Sequence, residues 1–124
     1  MSWFGGPNDK GMAPAEGLAL VNQGNLQLVS DYFLPVQPPG TTGLGRRLNP
    51  DKFYLACRWD YHRSPQETLL GTTIKVTNPK SGKSAMAKPV DWGPNEKTGR
   101  VADLSPGLCK ELGLETDDIC EVDY

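Results

Sequence analysis

Val90-Asp91-Trp92-Gly93-Pro94, followed closely by Val101-Ala102-Asp103-Leu104-Ser105-Pro106, sets two carboxylates near each other in the chain. Asp91 opens a Gly/Pro turn. Asp103 lies just ahead of a helix start, where Ser105 suits the cap, Pro106 the first helical position and Gly113 the C-terminal stop. Carboxylates so placed serve as acid, base or electrostatic stabiliser at a sugar-cleaving site. The same residues also serve as plain turn and cap residues. Asp91 can accept from backbone N–H groups near Gly93, and Asp103 can interact with the helix that starts at Ser105. A carboxyl bound to backbone donors has a lowered pKa, which suits an acid catalyst poorly.

Upstream, Thr72–Thr77 alternates, with Ile74 and Val76 on one side and Thr73, Lys75 and Thr77 on the other, which predicts a strand. Asn78-Pro-Lys-Ser-Gly-Lys83 supplies a hairpin, with Gly82 available for positive φ. The return strand runs from Ser84 to Val90 and ends at Asp91. Pro89 has no N–H for a ladder, so this strand belongs at an edge or carries a bulge near its end. Downstream, Leu108 and Leu112 share one helix face. Ile119–Val122 predicts a closing strand in which Ile119 and Cys120 compete for the inner side.

Further out, Phe53–Trp59 carries strand signal, and Ser2–Gly6 reads as a short strand broken at its Gly pair. Pro7-Asn8-Asp9 continues as a turn, and Gly17–Val21 is a short strand or helical turn. Leu26–Leu34 follows no clear period. Pro35–Gly45 is a loop long enough to be a surface excursion or a binding rim. A chain of 124 residues fits one domain over its whole length. The 14 Gly and 11 Pro argue against a helical bundle, so the expected class is all-β: a small barrel with one short helix near the C-terminus.

The formal charge of −2 and the lack of any Lys/Arg block argue against nucleic acid as a partner. No apolar run approaches the roughly 20 residues of a membrane span. Met1–Gly6 lacks the pattern of a secretory leader, which leaves location open; a cell-envelope or extracellular site is favoured if a leader has been removed. Cys57, Cys109 and Cys120 show no CxxC spacing and only His62 accompanies them, so neither a metal nor a cofactor is expected. The cysteines read as buried free thiols or as one disulfide plus a leftover thiol. A monomer is expected.

Leu70-Gly-Thr-Thr-Ile-Lys-Val-Thr-Asn78, Ser81-Gly-Lys-Ser84, Val90–Pro94 and Gly99-Arg-Val-Ala-Asp-Leu-Ser-Pro106 together resemble the double-psi β-barrel superfamily. The pattern is most similar to the rare lipoprotein A domain, with its order G-T-x-V-x-V-T-N, G, D-x-G-P, G-R-x-x-D-L-S. Expansins, barwin-like proteins and family 45 glycoside hydrolases share the barrel. Ser2–Gly6 also looks like the aromatic-Gly first strand of these domains. The resemblance is good over the C-terminal half and thin over residues 7–65. It implies a six-stranded double-psi β-barrel.

Rare lipoprotein A proteins include lytic transglycosylases, and Asp91 matches the aspartate of their D-x-G-P turn. Those proteins place a histidine just upstream of the Gly-Thr strand; here that place falls near Pro65, with His62 three residues earlier. His62 or Asp60 would have to fill the role. Asp103 matches the catalytic acid of family 45 hydrolases and of the membrane-bound lytic transglycosylase A family. Expansins keep that aspartate, lack a working base and loosen walls without hydrolysis.

Trp92, Trp3, Phe4, Tyr61 and Trp59 are candidate platforms for sugar faces. Trp92 leads because it follows Asp91 in a turn that should be exposed, whereas Trp59 reads as core. Arg58 and Arg100 suit sugar hydroxyls or a muramyl carboxylate, and Arg100 alternatively pairs with Glu96 or Asp103. A lone His62 reads as a surface residue. The leading expectation is therefore a protein acting on cell-wall glycan, by lytic-transglycosylase-like cleavage of peptidoglycan. The alternatives are a non-catalytic expansin-like polysaccharide binder, and a barwin-like or protease-inhibitor protein using the loop at residues 35–45. A family 45-like endoglucanase is disfavoured, because only Asp9 lies near the place of that family's base.

Overall fold

The computed structural model describes residues 1–5, 18–21, 25–35, 37, 48–63, 65–94, 97, 99–100 and 102–123. The expected turn at residues 7–9, Gly17, the loop at 35–45 apart from Pro35 and Gln37, and Glu96 lie outside the described residues. The elements are β1 (Ser2–Trp3), β2 (Tyr54–Cys57), α1 (Gln66–Leu69), β3 (Ile74–Thr77), β4 (Ser84–Trp92), β5 (Ala102–Leu104), α2 (Pro106–Leu112) and β6 (Glu121–Asp123). A 3-10 segment, Leu26–Tyr32, breaks its helical geometry at Val29 (φ −125°, ψ 20°). The strands join in the order β1-β5-β2-β4-β3-β6. β1 with β5 and β2 with β4 run parallel; the other neighbours are antiparallel. The molecule is thus mostly sheet, as the composition suggested.

Local chemistry explains the best-formed part. Ile74 and Val76 are buried and Lys75 is exposed, so β3 has the alternation its sequence predicts. The β3–β4 hairpin closes through Asn78 N–H to the Lys83 carbonyl (2.8 Å) and Gly82 N–H to the Asn78 carbonyl (2.9 Å), with Gly82 at φ 75°. Asn78 is buried, and its Nδ2 donates to the Leu112 carbonyl at 2.8 Å while its Oδ1 accepts from Lys80 N–H. One amide therefore fastens the hairpin to the last turn of α2. At the other end of α2, Ser105 Oγ accepts from Leu108 N–H at 3.1 Å, a cap worth about 1 kcal/mol. The same oxygen meets Tyr54 N–H at 3.4 Å, which ties the cap to β2. Gly113 ends the helix at φ 67°, and Leu108 and Leu112 are buried beneath it.

Two expectations are narrowed, and one stretch left without a period takes a form. β4 is an interior strand between β2 and β3, so of the two places expected for Pro89 it takes the bulge rather than the edge. Pro89 is accommodated there by a jump in pairing: Leu55 faces Pro89, yet Ala56 faces Asp91, which leaves Val90 as an extra residue. The strand at the C-terminus begins at Glu121, and Cys120 takes the inner side while Ile119 is 73% exposed. The irregular stretch around Leu26 forms 3-10 turns, whose i→i+3 bonding gives neither a helical nor a strand period.

The core gathers Leu20, Leu48, Tyr54, Leu55, Val90 and Leu104 with the underside of α2. All three cysteines are free and buried. Burial pushes the Cys57 thiol up to about 12 and Cys109 to about 11, so they pack as small apolar groups. Among the described residues no helix is long and apolar enough to cross a membrane.

Candidate active site

Strand pairing brings the two aspartates into one line. Asp103 of β5 faces Ala56 of β2, and Ala56 in turn faces Asp91 of β4. Residues directly opposed across strands project to the same side of a sheet. Asp103, Ala56 and Asp91 thus form one row, with the smallest of the three side chains between two carboxyls. Two strand spacings separate the acidic Cα atoms, roughly 10 Å. Both carboxyls are half-buried.

The jump at Val90 puts Asp91 in this row. Along β4, Ala87 and Pro89 are buried, and strict alternation would send Asp91 to their side. Val90 is buried as well, completely, and the phase changes there. Asp91 therefore emerges beside Ala56 rather than pointing into the core.

The two carboxyls have different surroundings. Asp91 Oδ1 accepts from Ala19 N–H and from its neighbour Trp92 N–H, each at 2.8 Å. The turn at Leu18–Val21 brings Ala19 there, held by Leu20 N–H on the Val90 carbonyl (3.2 Å). Asp91 is thus clasped by backbone donors, one from Trp92 beside Gly93 as expected and one from the distant Ala19. Asp103 is pushed above its usual range, chiefly by burial and further by the Asp91 charge, while Arg100 opposes the shift. The lowering expected from donors around Ser105 is absent; desolvation outweighs the attraction of Arg100.

The remaining candidates sort by place. Burial raises the Tyr61 phenol, and the charge of Asp91 adds to the shift. Trp92 is 42% exposed at the end of β4, one residue past the row, and its Nε1 donates to the Trp59 carbonyl at 3.2 Å. Trp59 is core, and its Nε1 donates to the Asp91 carbonyl at 2.8 Å. Asp60 and His62 sit in an exposed turn in which Asp60 Oδ1 accepts from His62 N–H at 3.0 Å. Arg58 donates to the carbonyls of Pro94 and Arg100 at 3.1 and 2.8 Å, bracing both ends of the segment that connects the two aspartates. Arg100 pairs with Asp117 at 2.8 Å, and that partner, 17 residues further on, has no local signal in the sequence.

Trp3 and Phe4 are not brought to the row. Trp3 is 55% exposed but lines a separate hollow of about 390 Å3 against α2, with Pro106, Cys109, Lys110 and Leu114. Phe4 packs edge-on against Tyr54, with ring centroids 5.0 Å apart, and the Tyr54 hydroxyl donates to the Phe4 carbonyl. Sequence reading missed the Ala19 clasp, the Tyr61–Asp91 relation and Asp117. Among the described residues no group of three or more His, Cys, Asp or Glu gathers as a metal set.

No family model matches the chain. A curated Nostoc protein named "Probable endolytic peptidoglycan transglycosylase RlpA" is 38% identical over 73 residues, which is 59% of this chain and 17% of that protein. An Aquifex aeolicus protein of the same name is 35% identical over 78 residues, 63% of this chain and 30% of its own length. The chain spans less than a third of either relative. Over the matched stretches the chain is similar to these RlpA proteins.

Proposed function

We propose that the chain is a six-stranded double-psi barrel acting on cell-wall glycan, and that it cleaves peptidoglycan strands in the manner of a lytic transglycosylase. The observation that carries this reading is the row Asp103–Ala56–Asp91, with a carboxyl raised by burial at one end and an anchored one at the other. The relatives' names point to the same polymer. Barrel closure is supported by Asp117 N–H, four residues ahead of β6, which donates to the Met1 carbonyl beside β1 at 2.7 Å.

In this reading a glycan strand spans the two half-buried carboxyls, with Ala56 buried between them. Asp103 gives its proton to the glycosidic oxygen as the bond from that oxygen to C1 breaks. The carboxylate left behind takes the proton of the sugar's own 6-hydroxyl while that oxygen bonds to C1. The products are a free hydroxyl end and a 1,6-anhydro end, and Asp103 is protonated again. A raised pKa suits a group that must be an acid first and a base second. The anchored Asp91 carboxylate faces the positive charge that develops at C1, and its fixed donors prevent it from swinging away. Tyr61 offers a stacking surface beside Asp91.

Digestion of denuded peptidoglycan by the whole chain tests the reading. Soluble anhydro-muropeptides from wild type, lost with Asp103→Asn, are expected; none from wild type sinks the cleavage claim. A non-catalytic, expansin-like binder is the second reading. It is favoured by Pro65 standing where related enzymes place a histidine, and by Asp60 being engaged with His62 N–H. It predicts sedimentation with insoluble glycan that survives both Asp→Asn changes.

A further inference from the structure

The hollow of about 390 Å3 beside Trp3 takes no part in the acidic row. Ser2 faces Asp103, but its neighbour Trp3 faces Leu104, which is fully buried. Alternation therefore sends the indole to the other side of β1 and β5. There it stands 55% exposed. Pro106 and Leu114 supply the other apolar groups of the hollow, and the exposed Lys110, Glu115 and Thr116 supply its polar ones.

Backbone bonds hold both sides of this hollow. Phe4 N–H donates to the Leu104 carbonyl at 3.0 Å and Asp117 N–H to the Met1 carbonyl at 2.7 Å, which fixes β1 before and after Trp3. Leu114 N–H donates to the Cys109 carbonyl at 2.8 Å, and Glu115 N–H to Asp118 Oδ2 at 2.9 Å, which fixes the turn after α2. The shape is thus preformed, and a ligand has little to order. Its chemistry is that of an uncharged sugar. The face of an indole is electron-rich and attracts the weakly positive C–H groups on one side of a pyranose ring. Lys110 donates, Glu115 accepts and Thr116 does both, which matches hydroxyls around a ring edge. Lys110 and Glu115 carry opposite charges, so an ionic ligand drawn to one is opposed by the other. The volume falls within the ~300–1,000 Å3 usual for small-molecule sites.

We infer that this hollow is a second glycan site, separate from the acidic row, in which an uncharged pyranose unit stacks on Trp3. The inference rests on the glycan reading above and adds a contact that cuts nothing. Trp3 and the row lie on opposite sides of the sheet, so the two sites take different strands of the wall. Holding one strand at Trp3 raises the local concentration of others at the row, with no change in the row itself.

The test uses the whole chain carrying Asp103→Asn, so that glycan is bound but not consumed. Indole N–H resonances are followed by NMR during titration with a trimer of N-acetylglucosamine, which bears no carboxylate. The Trp3 resonance, assigned by its loss in Trp3→Phe, should move saturably. Sedimentation with insoluble denuded peptidoglycan should weaken about tenfold on adding Trp3→Ala and by less on adding Trp3→Phe, which keeps a smaller aromatic face. A Trp3 resonance that stays still, or Trp3→Ala sedimenting as its parent does, overturns the second site and leaves the glycan reading standing. Movement of Trp3 on raising the protein concentration alone assigns the hollow to a second copy of the chain and overturns the inference too. No sedimentation of the parent and no shift of any indole overturns the glycan reading and the second site with it.

Discussion

At the β4 end of the acidic row the backbone does the holding: Ala19 and Trp92 aim N–H groups at Asp91, and Trp59 braces its carbonyl. At the β5 end Asp103 is governed instead by desolvation, with Arg100 as its opposing charge. The two carboxyls share residue type, a common row and half-burial, yet their surroundings differ. Fixed donors make a stationary anion. Partial burial makes a group that exchanges a proton.

Four experiments break or sharpen this contrast. The largest effect is expected from Asp103→Asn, which should lower anhydro-muropeptide release by about 10²–10⁴-fold, the usual contribution of a positioned acid–base group. Asp91→Asn should cost about 10²–10³-fold, the loss of one electrostatic stabiliser, with circular dichroism unchanged because the amide oxygen still accepts from Ala19 and Trp92. If Asp91→Asn proves the more damaging of the two, the assigned roles are reversed. Third, Ala56→Val inserts methyl groups between the carboxyls at a buried position, and overpacking should lower stability by about 1–3 kcal/mol in urea unfolding. An unchanged midpoint would mean that the middle of the row is open.

The smallest effect is on thermal stability. Burial raises Asp103, so the native state holds that proton more tightly than the unfolded chain does. The resulting stability is fully present below the ordinary carboxylate range and is lost as pH rises through the raised native value. As pH rises, wild type must ionise a half-buried carboxyl that Asp103→Asn lacks. The Tm of the variant should exceed that of wild type at pH 7, with the gap narrowing toward pH ~4. A gap that widens on acidification would show that Asp103 is held as an anion after all.

Much of the hairpin and of α2 was legible in the sequence, because Gly82, Ser105, Pro106 and Gly113 act within a few residues of themselves. The motifs also carried both aspartates. Their relation was not legible, since it depends on Ala56 lying between them, and strand order is a long-range property. Likewise Arg100 finds Asp117 rather than a near neighbour, because the turn before β6 folds back on β1. Trp3 shows the reverse case: an exposed aromatic drew attention, but its strand edge faces α2. Asp60 and His62 adjoin Tyr61 in sequence, yet they are turned to one another, with Asp60 Oδ1 accepting from His62 N–H in an exposed turn.

Val90 acts as a frame-setting residue for the acid that follows it. Because side chains along a strand alternate with period two, parity decides whether Asp91 joins the row with Ala56 and Asp103 or points into the core. Deleting Val90, or inserting one residue beside it, would leave both aspartates in the sequence and still reverse the address of one of them. Variation in length at this point of β4 should therefore abolish activity more thoroughly than most single substitutions around it, a pattern that scanning deletions from Ala87 to Trp92 can reveal.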